Sequence, residues 1–197
     1  MKVAGILLAG GESRRFGSPK AFATYKGEPF YRIILNQLDS IVDRSVIVSK
    51  QELIGKFQQV SSYPVNVITD NESYCGMGPL AGIYSAMKSL DADYYITVAC
   101  DMPLVTSDIF AFLVDKAKRH DASVVPVVDG RVQPLCAIYH ASCKPTIEAN
   151  LKAGRKRMSD FLKDCEIHYA PFGVDHKQWF MNINTSDDYK FVQEEKE

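Results

Sequence analysis

The sequence predicts an α/β fold, a three-layer α/β/α sandwich built on a mostly parallel sheet. Three observations predict it. Short, nearly continuous apolar runs at residues 3–9 and 94–100 read as strands covered on both faces, as in a parallel sheet. Segments of helical apolar spacing alternate with such runs: Phe30, Ile33, Ile34 and Leu38 in one, Leu80, Ile83, Tyr84, Met87 and Leu90 in another. Polar and glycine-bearing stretches follow the strands, at the edge where open α/β sheets bind ligands.

Taken in order, the opening strand runs into Gly10 and Gly11, which let the backbone turn tightly and approach a ligand. The N–H groups of such a turn suit an anion. Arg14, Arg15 and Lys20 add cationic side chains within one loop length, a combination that suits polyphosphate. It is not a P-loop: Gly11 and Gly17 are one residue too far apart, and Pro19 precedes Lys20 with no Ser or Thr after it. The dinucleotide fingerprint G-x-G-x-x-G is missing as well. The alternative is an ordinary strand–turn with solvated basic residues.

Residues 26–29 read as a turn before the helix that starts at Phe30. Val46-Ile47-Val48 is a second strand, and residues 53–60 a short helix with Leu53, Ile54, Phe57 and Val60 on one side. Residues 65–68 form a third strand, and Asp70 lies just past its C-terminal end, either as a turn aspartate or as a ligand group. Gly76, Gly78 and Gly82 flank and enter the next helix, with Pro79 suited to its first turn. They are close-packing points or a flat backbone surface for a purine.

The run at 94–100 leads straight into Asp101-Met102-Pro103. An acidic residue at the tip of a buried strand is placed to hold a hard cation such as Mg²⁺, which takes one or two carboxylates. The other role for Asp101, capping the following helix, falls more naturally to Ser107 or Asp108. A helix is expected over 108–118 and a strand over 122–128. The Asp129-Gly130 turn then predicts a hairpin and so an antiparallel strand in the sheet. Cys136 to His140 is another strand, 146–151 and 159–163 are helical, and 166–170 is a strand in which His168 is structural. Arg155, Lys156 and Arg157 are a solvated run or an anchor for a second anion. Asn182 and Asn184 alternate with Met181 and Ile183, so both amides project to one face. Thr185 or Ser186 is the expected cap of a last helix, whose charged tail frays.

The chain of 197 residues suffices for one α/β domain over residues 1–197, with no repeat or linker. A net charge of -1 excludes bulk attraction to nucleic acid or to a membrane surface. No apolar run approaches the ~20 residues of a membrane span. The 5 cysteines form no C-x-x-C pair, which points to reduced thiols in the cytoplasm rather than to zinc or a disulfide framework.

Leu8-Ala9-Gly10-Gly11-Glu12-Ser13-Arg14-Arg15-Phe16-Gly17, followed by Lys20, resembles the signature loop of Rossmann-like nucleotidyltransferases, and among them the molybdenum cofactor guanylyltransferases. The resemblance recurs at Gly78-Pro79-Leu80-Ala81-Gly82, at Cys100-Asp101-Met102-Pro103 and at Phe180-Met181-Asn182-Ile183-Asn184-Thr185, and so covers almost the whole chain. It implies transfer of GMP from GTP to the terminal phosphate of molybdopterin-bound molybdenum cofactor. Leu8, Ala9, Gly10, Gly11 and Lys20 would bind the nucleotide, with Lys20, Arg14, Arg15 and Asp101 catalytic. Asp70 and Gly78 would border guanine, and Asp101 would ligate Mg²⁺. Arg157 would hold a second anion, Gln133-Pro134 would wall the second substrate, and Asn182 and Asn184 would face the pterin. A molybdoenzyme or another cofactor-biosynthesis protein is the implied partner.

The chain departs from that family at Pro19, where many members have Asp, and at Ser49, where some have Asn near the base. The alternatives are a cytidylyltransferase of the same fold and a non-catalytic nucleotide sensor or hand-over protein. Relatives specific for cytidine tend to carry Leu-Ala-Ala-Gly, so Gly11 favours the larger purine. A non-catalytic relative would be expected to lose Asp101 or Lys20, and both are present.

Overall fold

A computed structural model describes residues 1–11, 18–60 and 65–194 of the chain. In order the elements are β1 (Val3–Leu8), the small hairpin β2 (Thr24–Tyr25) and β3 (Glu28–Pro29), α1 (Phe30–Asp39), β4 (Arg44–Val48), α2 (Ile54–Val60), β5 (Val67–Ile68) and α3 (Pro79–Ser89). There follow β6 (Tyr94–Ala99), α4 (Ser107–His120), β7 (Ser123–Val128), β8 (Arg131–Val132), β9 (Cys136–His140), α5 (Cys143–Lys152), α6 (Met158–Lys163), β10 (Ile167–Phe172) and α7 (Ser186–Glu194).

The two apolar runs lie side by side at the middle of the sheet, whose order is β10-β7-β9-β6-β1-β4-β5. Every residue of β6 is buried, as a strand covered on both faces requires. β1 pairs in parallel with β6 on one side and β4 on the other, and β5 extends this parallel set. The hairpin at Asp129-Gly130 forms, with both turn residues at positive φ (49° and 71°), as a tight two-residue turn needs. Its second strand, β8, is not the antiparallel strand of the main path. β8 is exposed and pairs only with β7, whereas the apolar β9 inserts antiparallel between β6 and β7. Burial decides between them, because Cys136, Ala137, Ile138 and Tyr139 are all fully buried there.

Side chains alternate across the strands and divide the interior into two cores. Val3, Leu7, Ile96 and Val98 face α1, α2 and α4, while Ala4, Ile6, Val46 and Tyr95 face α3, α5 and α6. These are the three layers. Against expectation, Val60 is not part of the inward stripe of α2 and stays 46% exposed. The helix has 7 residues and buries only Phe57, so no further turn carries its last residue inward. Phe57 packs with Phe22 and Tyr31, ring centroids 4.6 and 5.1 Å away, into an aromatic trio. The Nζ of Lys56 covers Phe22 at 4.3 Å.

A smaller cluster joins the two ends of the chain: Phe30 and Ile183, both fully buried, pack with Ala23, Tyr25, Leu104, Met181 and Tyr189. Thr185 caps α7, its Oγ1 accepting the Asp188 N–H at 3.1 Å. The Asp188 carboxylate accepts the N–H groups of Asn184 and Thr185 at 2.9 and 2.8 Å. These donors hold the Asp188 carboxyl below its ordinary range.

Two stability outcomes follow from this packing. Phe57→Ala is expected to cost about 3–5 kcal/mol in urea unfolding, because the trio loses its central ring. Asp188→Ala is expected to cost about 1 kcal/mol at neutral pH, the usual worth of a helix cap. Because the folded pKa is depressed, this stabilisation is present above the ordinary carboxylate range. The gap between wild type and Asp188→Ala should therefore narrow as unfolding is repeated at falling pH.

Candidate active site

The parallel register sets Leu8 opposite Ala99, so the loops leaving β1 and β6 open side by side at one edge. The first loop is clamped at its root: Ala9 N–H donates to Val48 O at 2.8 Å, and Cys100 N–H donates to Leu8 O at 3.0 Å. Buried Ser49 adds a hydroxyl bond to Ala9 O at 3.2 Å. Ser49 thus ties the end of β4 to the glycine loop, a structural job that the sequence did not reveal. Gly10 and Gly11 are exposed, and a Cβ built on either would meet nothing within 4 Å among the described residues. Arg14 and Arg15 lie outside the described residues.

Lys20 opens a short 3-10 turn, Lys20–Phe22, that begins after Pro19. The Pro19 carbonyl accepts the Phe22 N–H at 3.0 Å, so this departure from the family pattern forms the rigid start of the turn. Ala21 is buried and Phe22 joins the aromatic trio, which aims the Lys20 side chain at the sheet edge. There its Nζ lies 3.3 Å from Asp101 Oδ2 and donates to Asn184 Oδ1 at 2.6 Å. The Asp101 carbonyl in turn accepts the Ile183 N–H at 2.8 Å. Three distant segments therefore converge on one charged contact.

This contact is largely shielded, with side-chain exposures of 11% for Lys20 and 22% for Asp101. Burial pushes the Asp101 carboxyl above its ordinary range, and Lys20 partly offsets that rise. The other carboxylate oxygen, Oδ1, is buried without a hydrogen-bond partner among the described residues. An orphaned carboxylate oxygen is costly to bury. It is also what a hard cation would ligate, so Asp101 fits the metal expected from the sequence. Among the described residues no group of three or more His, Cys, Asp and Glu side chains is arranged to cage a metal. A lone carboxylate matches Mg²⁺, which draws most of its shell from phosphate and water.

A second wall forms around α3. Asp70 Oδ2 accepts the Gly76 N–H at 3.2 Å and closes the loop after β5, while burial raises its carboxyl pKa. Asn71 caps the turn Glu72–Tyr74 through Ser73 N–H, and its own N–H donates to Ser85 Oγ at 2.7 Å. Ser85 donates back to Ala81 O at 2.7 Å, which stitches the loop to α3. Gly78, at φ +78°, is the N-cap of that helix, with Pro79 in its first turn as expected. A Cβ on Gly82 would lie 2.8 Å from Leu8 Cδ2 and 3.6 Å from Asp70 Oδ1. The bare backbone of Gly82 is what lets α3 close on the ends of β1 and β4, at Leu8 and Val48, with Asp70 beside it.

The basic run is only partly available. Arg155 pairs with Asp164 at 3.0 Å, and Asn150 donates to the same carboxylate. Arg157, the N-cap of α6, is exposed, and the Lys156 carbonyl lies 3.9 Å from where a Gly78 Cβ would stand. The run therefore passes beside the start of α3. Gln133 is held to its own strand end through Pro126 O and Arg131 O. Asn182 is exposed and Ile183 fully buried, the predicted alternation. Ser107 does not cap α4; its N–H is accepted by Gln37 Oε1 at 2.8 Å. His168 stacks on His120 at 3.7 Å, away from these groups. Two depressions, of about 500 and 390 Å³, flank β5, and neither is lined by Lys20 or Asp101.

Sequence reasoning noted Ser49 only as a departure and missed its bond to Ala9 O, and it missed Ser85, Asp188 and the trio behind Lys20. Only Asp188 left a local signal, the Thr185-x-x-Asp188 capping pattern.

Comparisons with known proteins find relatives along the whole chain. A probable molybdenum cofactor guanylyltransferase of Bacillus cereus (strain G9842) is 39% identical over 195 residues, covering 98% of this chain and 96% of the relative. One from Geobacillus sp. (strain WCH70) is 40% identical over 191 residues, covering 95% and 96%. The solved structure of molybdopterin-guanine dinucleotide biosynthesis protein A from Archaeoglobus fulgidus is 27% identical and superposes with a TM-score of 0.81, covering 98% of this chain and 97% of that one. The family model of the MobA-like NTP transferase domain matches residues 5–168. With that match across most of its length and these relatives along the rest, the chain belongs to the family of MobA-like NTP transferases.

Proposed function

We propose that this protein transfers GMP from GTP to the phosphate of molybdopterin-bound molybdenum cofactor, releasing pyrophosphate and giving the guanine dinucleotide form. The observation that carries the reading is the convergence of Lys20, Asp101 and Asn184 at the sheet edge, in a chain 39% identical along its length to proteins named for that activity.

The chemistry asks for alignment and charge neutralisation rather than covalent help. A phosphate oxygen of the acceptor forms a bond to the α-phosphorus, and the bond from that phosphorus to the pyrophosphate oxygen breaks. The attacking oxygen is already anionic, so no general base is needed. Gly10 and Gly11 offer N–H groups to the phosphates, and their missing Cβ atoms leave the approach open. Lys20 places its ammonium beside the charge that develops on departing pyrophosphate. Arg14 or Arg15 adds to that field. Asp101 would hold Mg²⁺ through its orphaned oxygen, and the ion when bound would neutralise phosphate charge. Asp70 and Gly78 border the guanine, with the glycine wall of α3 as the flat surface. On the acceptor side stand Asn182, Asn184 and Arg157. Asn184 already gives its carbonyl oxygen to Lys20, so its amide NH₂ is the part offered to the pterin.

Guanylyl transfer by Asp101→Asn and by Lys20→Ala should each fall at least ~10²–10³-fold in a turnover assay, the usual worth of one preorganised charge contact. Near-wild-type turnover would remove that residue from the mechanism. Calorimetry with GTP, CTP and ATP, each with Mg²⁺, should show a clear preference for GTP. Preference for CTP would keep the phosphate chemistry and overturn the acceptance of guanine.

A further inference from the structure

Lys20 stands where its charge matters most to Asp101. Its ammonium is 3.3 Å from Oδ2, and both side chains are mostly shielded from water. Asn184 Oδ1 grips the same ammonium at 2.6 Å from the other side, and Asn184 is itself held by Asp188 through its backbone N–H. Lys20 is thus held at the carboxylate by Asp101 and Asn184, among others, and, behind them, by the Phe22, Tyr31 and Phe57 rings. A divalent ion on Asp101 would approach its oxygens to about 2 Å. That brings two like charges within a few ångströms of each other in a place where water screens them poorly.

We propose that Lys20 and the divalent metal are antagonists at Asp101: the ammonium serves as the counter-ion of the carboxylate until a nucleotide polyphosphate arrives. The neutral pair becomes strongly cationic when a metal is added alone. It becomes balanced when the metal comes with an anionic polyphosphate, because the phosphates take up the ammonium as well as the metal. Metal and nucleotide therefore bind with positive coupling, and by linkage each raises the affinity of the other. Lys20 strengthens this coupling beyond what direct attraction between metal and phosphate supplies, in addition to its part in the transfer step. Asn184 keeps the released ammonium near the edge. The inference rests on Asp101 being the metal ligand.

The test is binding of Mn²⁺, followed by the electron paramagnetic resonance of the free ion, with the full chain and no nucleotide. Lys20→Met and Lys20→Gln remove the charge while keeping a side chain of similar length. Both should bind Mn²⁺ about tenfold more tightly than wild type, within the usual span of a coupling between sites. They do so although the same position is needed for transfer. Lys20→Arg, which keeps the charge, should stay near wild type. Adding a non-hydrolysable GTP analogue should tighten Mn²⁺ binding in wild type and do so much less in Lys20→Met. Equal or weaker Mn²⁺ binding by both neutral variants, without nucleotide, overturns the antagonism. Asp101→Asn separates the two readings. If it loses Mn²⁺ binding while the neutral Lys20 variants show no gain, only the antagonism fails. If it binds Mn²⁺ as wild type does, the metal assignment of Asp101 fails.

Discussion

The parallel pairing of β1 with β6 is the constraint on which the rest of the site depends. Buried backbone must be hydrogen-bonded, and in a sheet covered on both faces only neighbouring strands supply those bonds. Once Leu8 stands opposite Ala99, the glycine loop and Asp101 leave the sheet at the same level. Two segments more than ninety residues apart in sequence become neighbours through backbone pairing. Ser49, bonded to Ala9 O, extends the same edge to β4.

On that edge the energetic problem is charge. A carboxylate that is mostly shielded from water needs compensation. Lys20 supplies a cation, but Oδ1 of Asp101 is left without a donor among the described residues. Such atoms are few in folded proteins. An unsatisfied oxygen beside a held ammonium is an atom that a cation could take as a ligand. Aromatic packing beneath Lys20 and the capped start of α7 beyond it make this geometry rigid, so the electrostatic field is in place before substrate enters.

The two walls of this edge are built differently. On one, α3 is pressed against β1 through Gly82, and its loop is laced by Asp70, Asn71 and Ser85. On the other, the end of the chain returns as an extended segment. Ile183 is buried against Phe30, and the asparagines on either side of it face outward. The Ile183 N–H bond to Asp101 O joins this segment directly to the centre of the sheet. The C-terminal segment is thereby mechanically linked to the position of Lys20, which Asn184 touches.

The sequence by itself determined the α/β class, the strands β1 and β6, the helices, and the identity of the groups at the edge, because these rest on local apolar periodicity and on short motifs. Gly10, Gly11, Lys20, Asp101 and Asn184 were all legible in that way. Only the tertiary structure decided that β9 rather than β8 is the inserted antiparallel strand. Both follow the same turn, and long-range burial of Cys136 to Tyr139, not turn chemistry, chooses between them. Tertiary contact also decided that Arg155 is committed to Asp164, and that Asn184 holds the lysine. Those pairings join residues far apart in sequence or side chains whose partners could equally have been water. No local pattern encodes them, because a hydrogen bond or ion pair depends on where the packed cores place its two ends.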